Sequence, residues 1–496
     1  MHRLNRRKFL KTSAAAVGAL VLNRAGAQTE RATRALARRD RRPNVVVILT
    51  DDQRWDCMSC VEGYPFLKTP NMDRIAAEGV RFANMFVTTS LCSPSRASFL
   101  SGLYAHTHKV VNNFTDYPAD LASYPRRLQE AGYETAYVGK WHMGEQSDEK
   151  RPGFDFWAVH KGQGKYFDTT FNINGERELL KGYYSHRATE LAVDWLKRPR
   201  QRPFLMIMGH KAPHGPFVPE PKYATIFDDV KIERPPTAND TGKGKPSWVK
   251  ERVPTWHGID GPLYGIKDYD KFVRNYLATI LSVDDSVGAI YAALHESGQL
   301  DNTLLVYTSD NGFLLGEHGA IDKRTMWEES IRVPMLVRYP ELIREPRVVS
   351  EMVLNLDLAP SVVDICGARP LPRVHGMSWK NLARADARGW RESWYYEYNY
   401  EKEFPYTPNV RGVRTDEWKY IRYPDGAGGD QYKAELYNLK DDPLETKNLA
   451  DAPECAGKVQ ELRKELDRLI AAADGLPDTM PVHPEMKMEL PEESIR

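Results

Sequence analysis

Short strand-like runs, most of them largely apolar, are each followed by a cluster of polar residues along this chain. Four such runs span residues 45–49, 134–138, 204–208 and 303–307. Apolar runs of this length are typical of strands buried on both faces of a parallel sheet. The polar clusters that follow them contain Asp, Asn, Lys or His and lie at 50–52, 139–144, 209–214 and 309–312. In an open α/β sheet, functional sites form at the carboxyl ends of strands, so we expect these clusters to converge.

Helical patterns lie between these runs, and the pattern changes near residue 386. Helices are predicted at about 69–76, 94–103 and 269–296. Beyond residue 386 we predict short antiparallel strands at 394–398, 410–415, 419–423 and 436–439, and a helix at 457–472. The sequence therefore predicts an α/β protein with a large mixed, mostly parallel sheet sandwiched by helices (43–385). A smaller C-terminal subdomain, an antiparallel sheet plus a helix, occupies 386–496.

The composition is that of a globular protein without a strong overall charge. The 496 residues are 41% hydrophobic and 10% aromatic, which fits one large α/β domain and a smaller one. The formal charge is +1, but the first 27 residues carry six basic residues and no acid, so the remainder carries −5. This balance argues against nucleic acid as a partner. An anionic substrate must therefore be held by locally placed cations.

The N-terminus has the layout of an export signal. The pair Arg6-Arg7 precedes an apolar run at 14–22 and the cleavage-type sequence Ala25-Gly26-Ala27. This run is half as long as the roughly 20 residues that span a bilayer. We predict a twin-arginine signal peptide at 1–27 and a linker at 28–42, so that the mature protein is exported without a membrane span. Asn5 stands where Ser or Thr is commoner, so export is better supported than the twin-arginine route.

The five cysteines do not form a disulfide framework, because their number is small and odd. Cys57 and Cys60 lack the second ligand pair of a zinc site. A local disulfide and two packed thiols both remain open for this pair.

Two oxygen-rich pairs follow the first and last of the four predicted strands. Asp51 and Asp52 follow the first strand, and Asp310 and Asn311 follow the last. Carboxylate and amide oxygens are hard ligands that suit Ca²⁺ or Mg²⁺. Each pair taken alone also fits a helix cap or a turn.

The segment around Cys92 carries a recognisable motif. Cys92-Ser93-Pro94-Ser95-Arg96, followed by Ser101-Gly102, resembles the signature of the formylglycine-dependent (type I) sulfatases of the alkaline phosphatase superfamily. Further blocks resemble the same family in the same order: Thr50-Asp51-Asp52-Gln53, Thr69-Pro70-Asn71-Met72-Asp73-Arg74, Gly139-Lys140-Trp141-His142, Lys211-Ala212-Pro213-His214, Ser309-Asp310-Asn311-Gly312, Asp322-Lys323 and Glu328-Glu329-Ser330-Ile331-Arg332-Val333-Pro334.

The resemblance implies an alkaline phosphatase-like fold and the hydrolysis of sulfate monoesters. Cys92 would be converted to formylglycine by a formylglycine-generating enzyme. One hydroxyl of the hydrated aldehyde attacks sulfur, and the second then expels sulfate. One divalent ion, Ca²⁺ with Mg²⁺ as the alternative, is held by the modified Cys92 and by Asp51, Asp52, Asp310 and Asn311.

The resemblance also assigns roles to the cationic residues. Lys140 and Lys323 bind the sulfate, Arg96 stabilises the hydrated aldehyde, and His142 orients a hydroxyl. His214 is preferred over His210 as the acid that protonates the leaving alcohol, with Lys323 as a second contributor, and both histidines are candidate substrate-binding residues.

The substrate is predicted from weaker similarities. Residues 101–108, 111–113 and 162–167 resemble the N-acetylglucosamine-6-sulfatase and heparan endosulfatase branch, which implies a 6-O-sulfated amino sugar in a polysaccharide such as a glycosaminoglycan. A phosphonate or phosphate monoester hydrolase and a non-catalytic carbohydrate-binding relative are the alternatives.

Several other residues keep two interpretations. His106 and His108 either face the substrate or lie at the surface, and His318 is expected in a loop or behind the site. A group in the C-terminal strands either shapes the pocket or packs the sheet, and we favour packing: Tyr395, Tyr396, Tyr398 and Arg414.

Overall fold

A ten-stranded sheet with a parallel centre organises this computed structural model. The structure describes residues 42–475 except 145–146, 243, 402–403 and 425–431. The predicted signal peptide and nearly all of the predicted linker lie outside the described residues. The chain from Asn44 onward forms a compact unit of its own.

Nineteen strands occur in the described part of the chain. They are β1 (Asn44–Thr50), β2 (Val80–Phe82), β3 (Met85–Phe86), β4 (Glu134–Lys140), β5 (Phe156–His160), β6 (Phe167–Ile173), β7 (Glu176–Tyr183), β8 (Phe204–Gly209), β9 (Thr303–Ser309), β10 (Leu314–Leu315), β11 (Ile321–Asp322), β12 (Arg332–Val333), β13 (Met335–Arg338), β14 (Arg347–Val349), β15 (Val353–Leu354), β16 (Ser393–Tyr398), β17 (Val410–Thr415), β18 (Trp418–Arg422) and β19 (Glu435–Asn438).

Ten α-helices are found in the same residues. They are α1 (Pro70–Ala77), α2 (Cys92–Ser101), α3 (Ala105–His108), α4 (Tyr124–Glu130), α5 (Tyr184–Leu196), α6 (Ser247–Arg252), α7 (Tyr269–Glu296), α8 (Glu328–Ile331), α9 (Leu358–Ile365) and α10 (Ala456–Ala472).

The main sheet has the strand order β14-β2-β13-β9-β1-β8-β4-β5-β6-β7. Its five central strands, β9, β1, β8, β4 and β5, are parallel to one another. Strands β13 and β6 add antiparallel to the two sides of this centre. Because central parallel strands are covered on both faces, these strands are almost wholly buried, as the four runs in the sequence predict.

Helices cover both faces of the main sheet. On one face, α1, α5 and α7 contribute to a core with the sheet residues Val46 and Ile48. On the other face, α2, α4 and α9 pack against Val45 and Val47. Alternate residues of β1 therefore point to opposite cores, as the two-residue period of a strand requires.

The long helix α7 is a core element. It begins after Asp268, whose side chain accepts a hydrogen bond from the backbone N–H of Lys271 at 2.7 Å, as an N-cap does. It is long and apolar enough to cross a membrane by composition, but 78% of its most apolar window is buried inside the fold. This burial is what the central helix of a globular core requires.

The C-terminal part forms a four-stranded antiparallel sheet in the order β16-β17-β18-β19, backed by α10. Its apolar side chains join a third core that also includes Phe86, Trp327 and Leu354 from the preceding part of the chain. The predicted mixed sheet between helices and the smaller antiparallel sheet with its helix are both confirmed.

Candidate active site

Four strand ends converge at one edge of the main sheet. Strand β1 lies between β8 and β9, with Leu49 paired to Gly209 and Thr50 paired to Ser309. Strand β4 lies on the far side of β8, with Gly139 paired to Gly209. The residues after these strands therefore enter the same space: Asp51 and Asp52, Asp310 and Asn311, His210 to His214, and Trp141 with His142. Lys140 ends β4 and joins them.

Two glycines allow the close approach of β4 and β8 at this edge. A Cβ atom on Gly139 would lie 2.1 Å from the carbonyl oxygen of Gly209, and Gly139 has a φ of +100°. A Cβ atom on Gly209 would lie 2.4 Å from the carbonyl oxygen of Lys140. Only glycine fits at either position, so the approach that brings Lys140 beside β8 depends on both.

Three buried carboxylates form the centre of the site. Oxygen atoms of Asp51, Asp52 and Asp310 lie within 4.8 Å of one another. The backbone N–H of Asp52 donates to Asp310 Oδ1 at 3.1 Å, and the Asn311 amide donates to Asp52 Oδ1. The backbone of Asp52 adopts a φ of +67°, a conformation that is uncommon for a residue other than glycine.

The donor set fits a hard divalent cation. Asn311 Oδ1 is buried and accepts no hydrogen bond from the residues that the structure describes. An orphaned buried oxygen beside three carboxylates is a set of ligands suited to Ca²⁺ or Mg²⁺. A second group of possible metal ligands consists of Asp51, Cys92 Sγ and a ring nitrogen of His214, which lie within 4.8 Å of one another.

Cations surround the carboxylates. Arg96 Nε donates to Asp310 Oδ2 at 2.8 Å, and a second guanidinium nitrogen lies 3.3 Å from Asp51 Oδ2. The Lys140 ammonium contacts Asp51, and the Lys323 ammonium donates to both oxygens of Asp52 at 2.6 and 2.7 Å.

This electrostatic arrangement gives the three carboxyl groups different pKa values. Burial opposes ionisation of Asp51, but Lys140, His214 and Arg96 hold its pKa well below the usual range. Burial and the neighbouring acids raise the pKa of Asp52 to about 8, despite Lys323. Burial and Asp51 raise the pKa of Asp310 to about 6. Burial therefore opposes the charged forms of Asp52 and Asp310, and a divalent cation bound among the three carboxylates would favour those forms.

Cys92 is the first residue of α2 and has no exposed surface. Its Sγ lies 3.4 Å from Asp51 Oδ1. Burial and the Asp51 charge raise the pKa of the Cys92 thiol well above its ordinary value. An unmodified thiol here is neutral, and a neutral thiol is a weak nucleophile.

His214 lies at the mouth of the site and His210 lies behind it. His214 Nδ1 lies 2.7 Å from the carbonyl oxygen of Gly215 and donates to it, which leaves Nε2 directed toward Asp52 Oδ2 at 3.7 Å. Burial and the charges of Lys140 and Lys323 lower the pKa of His214. His210 has no exposed surface and does not line the cleft. His142 is buried beside Cys92, since Ser93 donates to its carbonyl oxygen.

The site opens into a cleft of about 600 Å³. His214 and Lys323 lie on its inner wall. Other lining residues belong to segments that the sequence analysis identified: Asn113, Gln163, Lys165, Lys211 and Asp322. The remaining ones come from loops that sequence patterns did not single out: Phe114, Lys161, Trp256, His257, Tyr264, Arg324 and Phe404. Gln163 contacts the Lys140 ammonium through its side-chain oxygen. Gln163 belongs to the segment 162–167, and the resemblance of that segment to the N-acetylglucosamine-6-sulfatase branch is the sequence signal that marks this loop.

The remaining candidates serve packing. His106 lies 3.0 Å from both carboxylate oxygens of Glu397, and His108 is buried against Ser98. Neither histidine lines the cleft. His318 packs on Trp327 with ring centroids 4.4 Å apart.

The C-terminal group packs in the same way. Tyr395 and Tyr398 are buried in the third core, and Arg414 pairs with Glu328 at 2.9 Å. The hydroxyl of Tyr396 lies 2.6 Å from that of Ser90, two residues before Cys92. Cys57 and Cys60 are free thiols.

Comparison with known proteins gives consistent matches over most of the chain. A family profile described as Sulfatase matches residues 43–368, and one described as N-sulphoglucosamine sulphohydrolase, C-terminal, matches residues 316–472. The N-acetylglucosamine-6-O-sulfatase of Bacteroides thetaiotaomicron is 33% identical over 86% of this chain and 86% of its own length.

Two further relatives extend the comparison. The extracellular sulfatase SULF-1 homolog of Drosophila melanogaster is 31% identical over 72% of this chain, which spans 32% of that protein. A solved structure described as a complex with its substrate D-glucosamine-2-N,6-O-disulfate is 32% identical, has a TM-score of 0.82, and matches 89% of this chain and 100% of its own.

Proposed function

Since this chain belongs to the sulfatase family and hydrolyses sulfate esters of sugars, we propose that its substrate is a 6-O-sulfated glucosamine residue of a polysaccharide. The bacterial relative is named for this position of the sulfate, and the solved relative is described with a glucosamine that carries a 6-O-sulfate. The observation that carries the proposal is the convergence of Cys92, the Asp51, Asp52 and Asp310 carboxylates and two lysines beside one cleft.

The nucleophile in this proposal is Cys92 after its conversion to formylglycine, carried out by a formylglycine-generating enzyme. The hydrated aldehyde supplies one hydroxyl for attack and a second for release of sulfate. Around this position, Arg96 lies one helical turn further along α2 and fixes Asp310 and Asp51. Arg96 thus holds the polar groups of the site in place, and His142 orients a hydroxyl beside Cys92.

We assign the cofactor site to Asp51, Asp52, Asp310, Asn311 and the modified Cys92. Calcium is the proposed ion, with magnesium as the alternative, because both prefer oxygen ligands. When bound, the ion supplies positive charge that stabilises the sulfuryl oxygens and the nucleophile. The orphaned Asn311 Oδ1 supports this ligand set.

Lys140 and Lys323 bind the sulfate oxygens in this proposal. Both ammonium groups are buried, so little water competes for them, and each is held in place by an acid. Preorganised cations in a dry site stabilise charge that develops in the transition state. His214, whose Nε2 faces the same space, carries the proton for the leaving sugar oxygen, because an alkoxide leaves poorly without one. An anionic sulfate ester in the site would offset the Lys140 and Lys323 charges that lower the pKa of His214, and so would favour its protonated form. His210 supports this wall from behind.

Export of the protein is part of the proposal. The basic and apolar segments at 1–27 and the extracellular relative support it. The twin-arginine route moves folded proteins, which suits modification of Cys92 before export. A polysaccharide substrate outside the cell agrees with this location.

Turnover of a defined panel tests the proposal. The panel contains N-acetylglucosamine 6-sulfate, its 3-sulfate isomer, a galactosamine 6-sulfate, an aryl sulfate, and matched phosphate and phosphonate esters. We expect release of sulfate from the glucosamine 6-sulfate with a kcat/KM at least about tenfold above every other sugar. A preference for another sugar sulfate overturns the substrate assignment, and a preference for the phosphonate ester favours the alternative hydrolase.

A further inference from the structure

Lys211 is a buried lysine in the cleft wall that the mechanism does not use. Its exposed fraction is 2%, and it lines the cleft together with His214. Lys140 and Lys323 each contact a carboxylate, whereas Lys211 has no ion pair with any residue of the described ranges. The Lys211 ammonium lies over the ring of Tyr166, 5.1 Å from its centroid.

The local backbone places Lys211 on the His214 side of the cleft. The backbone N–H of His214 donates to the Lys211 carbonyl oxygen at 2.9 Å, so the two residues share one turn after β8. The Tyr166 hydroxyl donates to the His214 carbonyl oxygen at 2.8 Å while its ring lies under the Lys211 ammonium. Tyr166 therefore fixes both residues, and Lys211 is a positioned cation rather than a mobile surface one.

In the described part of the cleft lining, no acid forms an ion pair with the Lys211 ammonium. Lys161 and Lys165 lie on the adjoining loop and are exposed. Among the described residues that line the cleft, Asp322 is the one acid, and Arg324 already pairs with it at 2.5 Å. Burial and the Lys140 charge lower the pKa of Lys211 to about 7, although the Asp51 and Asp52 charges oppose this shift.

A buried ammonium without an anion is costly, and a charged ligand group is the usual partner of such a cation. The sulfate ester that is hydrolysed already has Lys140 and Lys323. We propose that Lys211 is a specificity residue that binds a second anionic group of the substrate, a sulfate or a carboxylate other than the ester being hydrolysed. This inference rests on the proposed function and extends it from one sulfate to a doubly anionic sugar.

The second anion has two sources that an experiment distinguishes. It belongs either to the same sugar, as an N-sulfate, or to a neighbouring uronic acid, as a carboxylate. Three substrates separate them: N-acetylglucosamine 6-sulfate, D-glucosamine-2-N,6-O-disulfate, and a disaccharide of a uronic acid and N-acetylglucosamine 6-sulfate. Each of the three compounds is assayed separately as the substrate.

The variants are Lys211→Met, Lys211→Arg and a matched control, Lys222→Met. Lys222 also lies over a tyrosine ring, with its ammonium 4.7 Å from the Tyr223 centroid, but Asp285 neutralises it at 2.6 Å outside the cleft. Like Lys211→Met, Lys222→Met therefore removes a lysine from a tyrosine face. Circular dichroism shows whether each variant is folded, and Lys211→Arg keeps the charge if Lys211→Met does not fold.

We expect the unmodified chain to prefer one doubly anionic substrate by about tenfold or more in kcat/KM, the effect of one charge-assisted hydrogen bond. Lys211→Met should reduce that ratio to below about twofold, while Lys222→Met and Lys211→Arg retain most of it. An unchanged ratio in Lys211→Met overturns the inference. An equal loss on all three substrates also overturns it, because Lys211 would then act on the ester that is hydrolysed.

Binding measurements keep this test separate from the proposed function. Failure of the wild-type chain to hydrolyse any of the three compounds contradicts the proposed substrate. In that case the dissociation constants of the three compounds are measured for the Cys92→Ala variant and for the double variant Cys92→Ala/Lys211→Met. Their difference reports the contribution of Lys211 to binding. A Lys211-dependent gain in affinity for a doubly anionic compound supports the inference, and its absence overturns it.

Discussion

Arg96 donates a hydrogen bond from Nε to Asp310 Oδ2 at 2.8 Å, which ties α2 to the end of β9. The same guanidinium donates to the Lys140 carbonyl oxygen at 2.7 Å and lies 3.3 Å from Asp51. One side chain on α2 thus reaches the ends of β9, β4 and β1. The position of Cys92, one turn earlier on the same helix, follows from these contacts.

The first prediction concerns this guanidinium. Arg96→Lys keeps the charge but loses the planar group that makes three contacts in different directions. We expect a loss of roughly 2–3 kcal/mol in the free energy of unfolding, because buried acceptors lose their donors. The measurement is urea unfolding followed by circular dichroism. Lys380→Arg, at a surface pair with Asp364, is the control and should stay within about 0.5 kcal/mol.

The second prediction concerns the metal. Asp51, Asp52 and Asp310 are buried together, so removal of a divalent ion with a chelator should lower the melting temperature. Addition of Ca²⁺ at 100 times its Kd should restore about 2.7 kcal/mol of stability. Differential scanning calorimetry of the chelated protein with and without Ca²⁺ measures this effect without reference to activity.

A pair of buried acids provides the control for the metal prediction. Asp310→Asn should abolish the Ca²⁺-dependent shift. Asp284→Asn removes a buried carboxylate that accepts hydrogen bonds from the backbone of Asn71 and Met72 and does not belong to the three-carboxylate cluster. It should lower stability but keep the shift. Equal shifts in both variants would show that the ion binds elsewhere.

The third prediction concerns His214 as the proton donor. His214→Ala should lower kcat/KM for a sugar 6-sulfate by about 10² to 10⁴-fold, because the sugar alkoxide needs a proton. For an aryl sulfate whose phenolate leaves easily, the loss should be much smaller. Steady-state kinetics with both esters test this difference. Equal losses on the two esters would assign His214 to sulfate binding rather than to proton transfer.

The fourth prediction concerns the pH dependence of stability through His106. One ring nitrogen of His106 lies 3.0 Å from Glu397 and the other 2.8 Å from the Ala473 carbonyl oxygen, so both nitrogens donate when the ring is charged. Burial opposes the charge, but the hydrogen bond to Glu397 and its charge raise the pKa of His106 above 6.5. Glu397, with its pKa lowered to about 2 despite burial, stays ionised.

Because the folded state holds the His106 proton more tightly, the stabilisation is fully present below pH 6.5 and is lost as pH rises through the folded pKa. His106→Gln should therefore destabilise the protein by about 1 kcal/mol at pH 6 and by less at pH 9. Urea unfolding at several pH values measures the difference. A gap between the two proteins that is constant with pH would contradict the charged pair.

The elements that sequence patterns predict best are those with continuous apolar runs. The predicted strand at 303–307 lies within β9, and the predicted helix at 269–296 has the bounds of α7. Since four of the five central strands could be predicted, so could the convergence of Asp51 with Asp310. The hairpin of β6 and β7 gave no such signal, because five of the eight residues of β7 are exposed and four of these five are charged.

The parts of the site that could not be predicted depend on contacts between distant segments. Gln163 meets Lys140 only because β4 and β5 pair. His106 meets Glu397 across 291 residues, so its burial has no local sequence signal. Lys211 could be seen in its motif, but its lack of an acidic partner is a property of the folded cleft.

The mass of the tryptic peptide that contains Cys92, taken from protein produced in its native host, tests the central claim most directly. The account predicts a peptide about 18 Da lighter than the cysteine form, as conversion to the aldehyde requires. The fraction converted should scale with kcat across preparations. If a fully active preparation contains only the peptide with the unmodified Cys92 thiol, the account is contradicted.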